Sequence, residues 1–259
     1  MSRTQDPATT GLRDPTDAPL RARVASRHAQ LQGCSGCLVR HLAVCNALPV
    51  EEVGVLEQHA VNRHLVAGQL LVREGEPRRH VFTVTSGALR RIRELADGRR
   101  LVAGFLMPGD FIGFSGASHY RHSIEAISDS VLCAFSLPDM RQLCMRHPQL
   151  EHELLERACV ELDATRNNLM GLARMTPLER LAGFLLDMAA RRQRQGHGAE
   201  HLVLPMTRAD IADYLGLTVE TVSRSFTRLR RDGLIATDDP QHVRLLDRAR
   251  LHAMADALG

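Results

Sequence analysis

The segment Met206–Asp232, MTRADIADYLGLTVETVSRSFTRLRRD, restricts the possible folds of this chain more than any other stretch. Thr207 and Asp210 have the spacing of a capping box, in which each side chain satisfies a free backbone amide at a helix start. Gly216 interrupts the helical pattern where a helix-turn-helix motif needs its turn, and Thr218 is placed to cap the next helix. The segment therefore predicts two short helices joined by a tight turn.

The second predicted helix has one apolar face and one polar face. Its apolar side chains recur at i, i+4 and i+7 and are expected to face a core: Val222, Phe226 and Leu229. Glu220, Ser223 and Arg224 lie on another face near the N-terminus, where a recognition helix presents polar groups to base edges. We therefore predict double-stranded DNA as the partner; an amphipathic helix of an unrelated bundle is the alternative. Further DNA contacts are assigned to Thr207, Arg208, Thr218, Thr221 and Arg228.

Length, charge and the N-terminal composition narrow the class of protein. A chain of 259 residues is long enough for two domains with separate cores. The sequence has no apolar run of membrane-spanning length and no secretory signal, so we expect a cytoplasmic protein with no membrane partner. A formal net charge of +3 does not by itself indicate nucleic-acid binding, so the DNA prediction rests on local geometry.

Residues 31–48 hold three cysteines in the pattern Cys-x2-Cys-x7-Cys: Cys34, Cys37 and Cys45. The short first spacing lets two thiolates bind the same metal or cluster. Three ligands need a fourth from elsewhere, which would complete either a zinc site or a four-iron cluster. Three unrelated buried thiols are the alternative. No cysteine lies in a recognised nucleophile motif with a nearby His, so we do not predict an enzyme.

The remaining stretches predict an α+β protein. Residues 1–30 are polar and aperiodic, which is typical of a disordered tail. Residues 31–147 combine the cysteine segment with short strands divided by turns such as Asp97-Gly98-Arg99, which favours a β-roll or jelly roll. Residues 177–259 begin with a helix at Pro177 and continue through the helix-turn-helix into a β-hairpin wing over residues 234–246.

Residues 148–176 predict one long helix that pairs with a second copy of the chain. Its seam residues recur at alternating spacings of three and four: Leu155, Ala158, Leu162, Thr165, Leu169 and Leu172. Thr165 and the small Ala158 should weaken this contact, so we expect a marginal homodimer. The alternative is an amphipathic helix that packs on its own β-domain.

The helix-turn-helix also carries a family resemblance. Two adjoining runs resemble the recognition motif of the CRP/FNR family of bacterial transcription regulators: Tyr214-Leu215-Gly216-Leu217-Thr218 and Glu220-Thr221-Val222-Ser223-Arg224. The resemblance covers about residues 31–250 and is especially close to the oxygen-sensing FNR branch. The x7 spacing before Cys45 is similar to that of the FixK/FnrN-like subgroup. The β-roll resembles the cyclic-nucleotide-binding-type barrel of the same family.

The resemblance implies a cofactor, a switch and a target. In the FNR branch a 4Fe–4S cluster sustains a DNA-binding dimer, and oxygen converts the cluster and releases the DNA. Its ligands here would be Cys34, Cys37, Cys45 and Cys133. The resemblance also implies a TTGAT-like half-site, transcription activation and RNA polymerase as a partner. Cys144 and Cys159 fall in predicted helices and are interpreted as packing residues.

A different effector on the same DNA-binding dimer is the competing hypothesis. Zinc, thiol oxidation and a cyclic nucleotide are the candidates. Nucleotide binders of the family carry a Gly-Glu-Leu-type turn and an Arg-Ser or Arg-Thr pair for the phosphate. This chain has Ile112-Gly113-Phe114-Ser115 and an interrupted Arg121-His122-Ser123 instead, so both elements depart from that pattern.

Overall fold

The computed structural model describes residues 33–95 and 97–255, so the predicted tail over residues 1–30 lies outside the described residues. The helices are α1 Gly54–Glu57, α2 Leu137–Arg146, α3 Pro148–Arg174, α4 Pro177–Arg194, α5 Arg208–Leu215, α6 Val219–Arg231 and α7 Arg248–Ala255. The N-terminal strands are β1 Val61–Leu65, β2 Leu70–Val72, β3 His80–Ser86, β4 Leu89–Glu94, β5 Arg100–Leu106, β6 Phe111–Ile112, β7 Ser123–Ala126 and β8 Ser130–Ser136. The C-terminal strands are β9 His201–Val203, β10 Ile235–Thr237 and β11 His242–Leu245.

The eight N-terminal strands form two antiparallel sheets that enclose a core. One sheet has the order β1-β8-β3-β6 and the other has the order β2-β7-β4-β5. Val84, Leu89 and Leu132 are fully buried between them because alternate residues of a half-buried strand point inward. The hairpin between β4 and β5 turns at Gly98, whose φ of 81° is a conformation that favours glycine. The predicted α+β fold with an N-terminal β-roll is confirmed.

Three consecutive helices connect the β-roll to the C-terminal part. Ser136 caps α2, whose Met140 and Leu143 are buried. The long α3 runs without interruption from Pro148 to Arg174, as the seam pattern predicts. Pro177 begins α4 as expected, and Thr176 with Glu179 forms a capping box there.

The helix-turn-helix has the predicted caps. Thr207 and Asp210 form both bonds of the capping box at the start of α5. Gly216 ends this helix with a φ of 63°, a left-handed conformation that lets the chain turn sharply. Thr218 accepts a hydrogen bond from the amide of Thr221 and so caps α6.

The wing has one strand more than the sequence pattern predicts. β10 and β11 form the expected hairpin, and β9 pairs with β11 to give a three-stranded sheet with the order β10-β11-β9. Strand β9 is only three residues long and shows a single buried side chain, Leu202, so its pattern is too short to detect.

One apolar cluster joins the β-roll to the C-terminal part. Ile92, Val102 and Phe105 of the β-roll lie in the same cluster as the buried residues of α4, α5 and α6. A separate cluster lies beneath the cysteine segment and contains Val44 and Leu150. Among the described residues, no helix is both long enough and apolar enough to cross a membrane.

Candidate cysteine site and nucleic-acid interface

The cysteine segment consists of three short 3₁₀ turns, at Cys34–Gly36, Arg40–Leu42 and Val44–Ala47. The backbone amide of Cys34 donates to Oε2 of Glu57 at 3.3 Å, which ties the first turn to α1. A Cβ at Gly33 would lie only 2.4 Å from Oε1 of Glu57, so a larger residue there would displace this carboxylate. The turns bring the three N-terminal cysteines back toward the β-roll.

Cys133 lies in the middle of β8, directly opposite Asn62 of β1 and Thr83 of β3. Burial, followed by the negative charges of Cys34, Cys45 and Cys37, raises the pKa of the Cys133 thiol to about 12. Burial likewise raises the pKa of Cys45 to about 11, with contributions from Cys37 and Cys34. The four predicted ligands therefore lie within electrostatic reach of one another, although Cys133 is far from the others in sequence.

The four thiols are not positioned as metal ligands. Within residues 33–95 and 97–255, no three His, Cys, Asp or Glu side chains are placed so that they could hold a metal ion. The donor set nevertheless suits an iron–sulfur cluster, because such clusters are held by four cysteine thiolates. Cys34, Cys45 and Cys133 also border one apolar cluster, which provides the partly dehydrated surroundings of a cluster site.

The other two cysteines have different surroundings. Cys144 is half-buried in α2 and packs against the apolar cluster, as predicted. Burial and the charge of Glu151 raise its pKa. The packing interpretation of Cys159 is wrong for the single chain, because this thiol is exposed on α3. Both residues lie on helices, as expected.

The recognition helix α6 presents its polar face to solvent. Val222, Phe226 and Leu229 are buried, as the periodicity predicts. Glu220, Ser223 and Arg224 are exposed. Ser223, Arg224, Thr227, Arg228 and Arg231 line a shallow groove of 310 Å³. A row of Arg, Ser and Thr side chains can donate to phosphates and to base edges.

Arg208, the first residue of α5, is held against the recognition helix. Its guanidinium lies 3.3 Å from the centre of the Phe226 ring, a cation–π contact. Burial lowers the pKa of Arg208 to about 10. Nη1 is buried and has no hydrogen-bond partner among the described residues, so an anion would reach this donor only after the side chain moved. Thr207 and Thr218 are exposed beside it at the two helix starts.

The segment Ile112-Gly113-Phe114-Ser115, the first candidate element of a nucleotide site, accepts a hydrogen bond from an arginine of the protein itself. Arg78 donates through Nη1 to the carbonyl of Gly113 at 2.8 Å and through Nε to the carbonyl of Ala117 at 3.2 Å. Arg121 is exposed and lines a separate open pocket of 570 Å³ together with Glu74, Arg93 and Tyr120. The residues that line this pocket include Arg121 and His122 but none of residues 112–115.

The apolar contacts of the long helix α3 with the β-roll side of the molecule lie in its first turns, and Glu161 adds an ion pair with Arg91 of β4 further along. Leu150 is buried and Leu154 is partly buried against the apolar cluster beneath the cysteine segment. The later seam leucines are largely exposed: Leu155 (61%), Leu162 (49%), Leu169 (67%) and Leu172 (42%). Thr165 is also exposed, and its hydroxyl donates to the carbonyl of Glu161 at 2.8 Å. An apolar stripe of this size on a helix surface indicates a partner surface.

Arg157 connects the cysteine segment to this helix beside its seam. Arg157 of α3 donates through Nη1 to the carbonyl of Leu42 at 2.6 Å, and Glu153 accepts from its Nε at 2.7 Å. The same Nη1 lies 3.4 Å from the carbonyl of Gly109 in the turn before β6. Leu42 lies between Cys37 and Cys45, and Arg157 directly precedes the seam residue Ala158. The cysteine segment therefore contacts the helix next to its seam.

Each half of the chain matches a known protein domain family. Residues 62–147 match the cyclic nucleotide-binding domain, and residues 179–254 match the Crp-like helix-turn-helix domain. The chain is similar to the structure of FixK2 from Bradyrhizobium japonicum, with a TM-score of 0.71 and 33% identity. That similarity covers 75% of this chain and 96% of FixK2.

Characterised relatives match along most of their length. The transcriptional activator protein FnrL of Cereibacter sphaeroides is 37% identical over 225 residues, which cover 85% of this chain and 91% of FnrL. The nitrogen fixation regulation protein FixK of Bradyrhizobium diazoefficiens is 37% identical over 224 residues, which cover 86% of this chain and 94% of FixK. The Crp-like helix-turn-helix implies DNA binding, and the relatives are transcriptional activators rather than enzymes. The chain therefore belongs to the CRP/FNR family of transcription regulators.

Proposed function

We propose that this regulator responds to oxygen through a 4Fe–4S cluster on Cys34, Cys37, Cys45 and Cys133. The observation that carries the proposal is that Cys34 and Cys45 border the same apolar cluster as Cys133, and that the charges of Cys34, Cys45 and Cys37 help to raise the pKa of Cys133, although it lies far from them in the chain. A bound cluster would supply iron–sulfur bonds that oxygen attacks. The side chains must rearrange to bind it, which the short 3₁₀ turns of the cysteine segment allow more readily than a long helix would.

The contact at Arg157 provides a route from the cysteine segment to the dimer. Ligation of Cys37 and Cys45 would restrain the backbone around Leu42, whose carbonyl accepts from Arg157. Arg157 would then hold α3 in one position relative to the β-roll. The exposed seam leucines support a homodimer through α3, and the polar Thr165 supports a marginal one. A marginal equilibrium is one that a bias of a few kcal/mol can shift.

The dimer would present two recognition helices to a palindromic, TTGAT-like operator. Glu220, Ser223 and Arg224 would read base edges in the major groove, because they are exposed near the start of α6. Phosphate contacts would come from the residues at the two helix starts and from one further Arg: Thr207, Arg208, Thr218, Thr221 and Arg228. The position of Arg208 at the first residue of α5 supports this role. Activation through RNA polymerase, in the cytoplasm, is the corresponding cellular role.

We expect Arg224→Ala to lose sequence discrimination at one base pair in each half-site. A bidentate Arg–guanine contact contributes about 1–3 kcal/mol of discrimination, and the exposed position of Arg224 on the second turn of α6 suits such a contact. Binding to duplexes substituted at each operator position measures this. Arg231→Ala, on the same face but three turns from the helix start, is the matched control and should weaken all duplexes alike. Equal loss on operator and random DNA would make Arg224 a phosphate contact.

An absorption spectrum of anaerobically purified protein tests the effector. A brown protein with broad visible absorption and about four iron and four sulfide per chain is expected. Admission of air should bleach it and lower its operator affinity. A colourless protein with one zinc ion per chain would show that the cysteines form a zinc site rather than a cluster site. A colourless, metal-free protein whose operator binding depends on a cyclic nucleotide or on thiol oxidation would establish one of those effectors instead.

A further inference from the structure

Asp210 of the helix-turn-helix is completely buried, yet it is charged and contacts both halves of the chain. Its Oδ2 accepts from the backbone amide of Thr207 at 3.0 Å and from the hydroxyl of Thr207 at 2.8 Å. Its Oδ1 lies 2.6 Å from Nη1 of Arg90 and 2.8 Å from Nη2 of Arg100. A carboxylate has about four acceptor positions, so all are used. The residue that caps α5 is therefore also the anion of an ion pair with the β-roll.

The two arginines come from adjacent strands of one sheet, β4 and β5, and are fixed by further partners. Nη2 of Arg90 lies 2.5 Å from Oε1 of Glu125, its cross-strand neighbour on β7. Nη2 of Arg100 also lies 3.2 Å from Oδ2 of Asp213, one turn further along α5. Burial raises the pKa of Asp210, but its bonds to Thr207 and the charges of Arg90 and Arg100 outweigh that effect and lower the pKa. The carboxylate is thus held in its charged form between the two halves.

Apolar contacts surround this ion pair. The ring of Phe105 on β5 lies 5.3 Å from the ring of Tyr214 on α5 and 6.1 Å from the ring of Phe184 on α4. At the far end of β5, Nη1 of Arg191 on α4 lies 2.9 Å from Oδ2 of Asp110. A buried, hydrogen-bonded ion pair tolerates little displacement, because any shift leaves an unpaired charge without water. The apolar contacts hold the halves together, and the ion pairs restrict their orientation.

The ion pairs of Asp210 and the neighbouring apolar contacts form a joint between the two halves of the chain. This joint lies behind the recognition helix α6 and leaves its outer face exposed. Helix α5 packs against β5 on one side and against α6 on the other. Glu220, Ser223 and Arg224 on the outer face of α6 remain exposed. The orientation of α5 on the β-roll therefore determines the direction in which each recognition helix points. A dimer on a two-half-site operator depends on that direction, since both helices must enter successive major grooves about one helical turn apart.

We propose that Arg90 and Arg100 of the β-roll are positioning residues for operator recognition, acting through Asp210 on the orientation of the helix-turn-helix. This rests on the proposed binding of a dimer to a palindromic operator, but not on the cluster. Both guanidiniums bond to the buried carboxylate of Asp210, so we expect neither arginine to contact DNA. Their effect on binding should therefore appear only where two recognition helices must be held at a defined distance and angle.

The test compares full and half operators with the Arg90→Gln/Arg100→Gln double variant of the whole chain. The duplexes carry either TTGAT with its inverted repeat or a single TTGAT. We expect binding to the full duplex to weaken at least about tenfold, because the preorganised orientation is lost, while binding to the half-site changes less than about twofold. Arg99→Gln is the matched control: Arg99 adjoins Arg100, and its side chain pairs, among the described residues, only with Asp97 of its own hairpin at 2.8 Å. It should leave both affinities unchanged.

Three outcomes would overturn the proposal. If the double variant bound both duplexes more weakly by the same factor, the helix-turn-helix itself would be damaged. If its DNA binding depended less on salt concentration than that of the wild type, the arginines would contact phosphates themselves. Unchanged binding to the full duplex would show that the ion pairs do not orient the helix. Amide hydrogen exchange in residues 208–215 provides a measurement without DNA, and should be faster in the double variant than in Arg99→Gln. If the wild type bound neither duplex, the proposed operator would be wrong, and the exchange rates alone would decide whether the joint exists.

Discussion

Cys133→Ser, purified without air, should contain no iron–sulfur cluster. Serine supplies a hydroxyl in place of the thiolate that a cluster requires, and the three N-terminal cysteines cannot complete the set. Because Cys133 is only partly buried and serine is close to it in size, we expect the fold to persist. Iron and sulfide content and the visible spectrum measure the loss, and circular dichroism confirms folding.

The matched controls for that variant are Cys144→Ser and Cys159→Ser. Cys144 has Glu151 rather than another cysteine as its charged neighbour, and Cys159 is exposed on α3. Both variants should keep the iron content of the wild type. Full iron in Cys133→Ser would show that the fourth ligand is a different residue, and loss of iron in Cys144→Ser alone would identify it.

Thr165→Leu should produce a tighter dimer that binds its operator in air. A buried leucine contributes about 1.5–3 kcal/mol relative to an exposed one, and the seam would bury one from each chain. In the part of the chain that the structure describes, the lost hydroxyl bonds only to the carbonyl of Glu161 in its own helix, so its removal costs little. The dimer dissociation constant should fall by at least about tenfold, since each 1.4 kcal/mol is a factor of ten. Sedimentation and operator binding in air measure both effects.

Asn167→Leu is the matched control for the seam variant. Asn167 is exposed on α3 two residues from Thr165, at a position that faces away from the seam. A leucine there should leave the dissociation constant unchanged. If cluster-free wild-type protein is already a stable dimer, the monomer–dimer switch does not operate in this protein. Oxygen would then have to act by reorienting the DNA-binding domains.

Local patterns predicted the helix-turn-helix almost completely. The capping box, the turn glycine, the second cap and the buried triplet of α6 depend on residues within a few positions of one another. Hydrogen bonds at helix ends and the 3.6-residue period act over the same short range. The strand β9 was missed because three residues with one buried side chain carry no period. Cys159 was misjudged because a helical position alone does not reveal which face is covered.

The sequence of this protein was sufficient to identify its family, its α+β fold class, the caps of its DNA-binding helices and four candidate thiol ligands. The double role of Asp210 could not be inferred from it. The spacing to Thr207 accounts for only two of the four bonds, and the other two come from arginines 120 and 110 residues away in the chain. The link from Leu42 to Arg157 likewise spans 115 residues. Such contacts arise only when separate elements pack, because no local period or spacing encodes which buried charge will meet which partner.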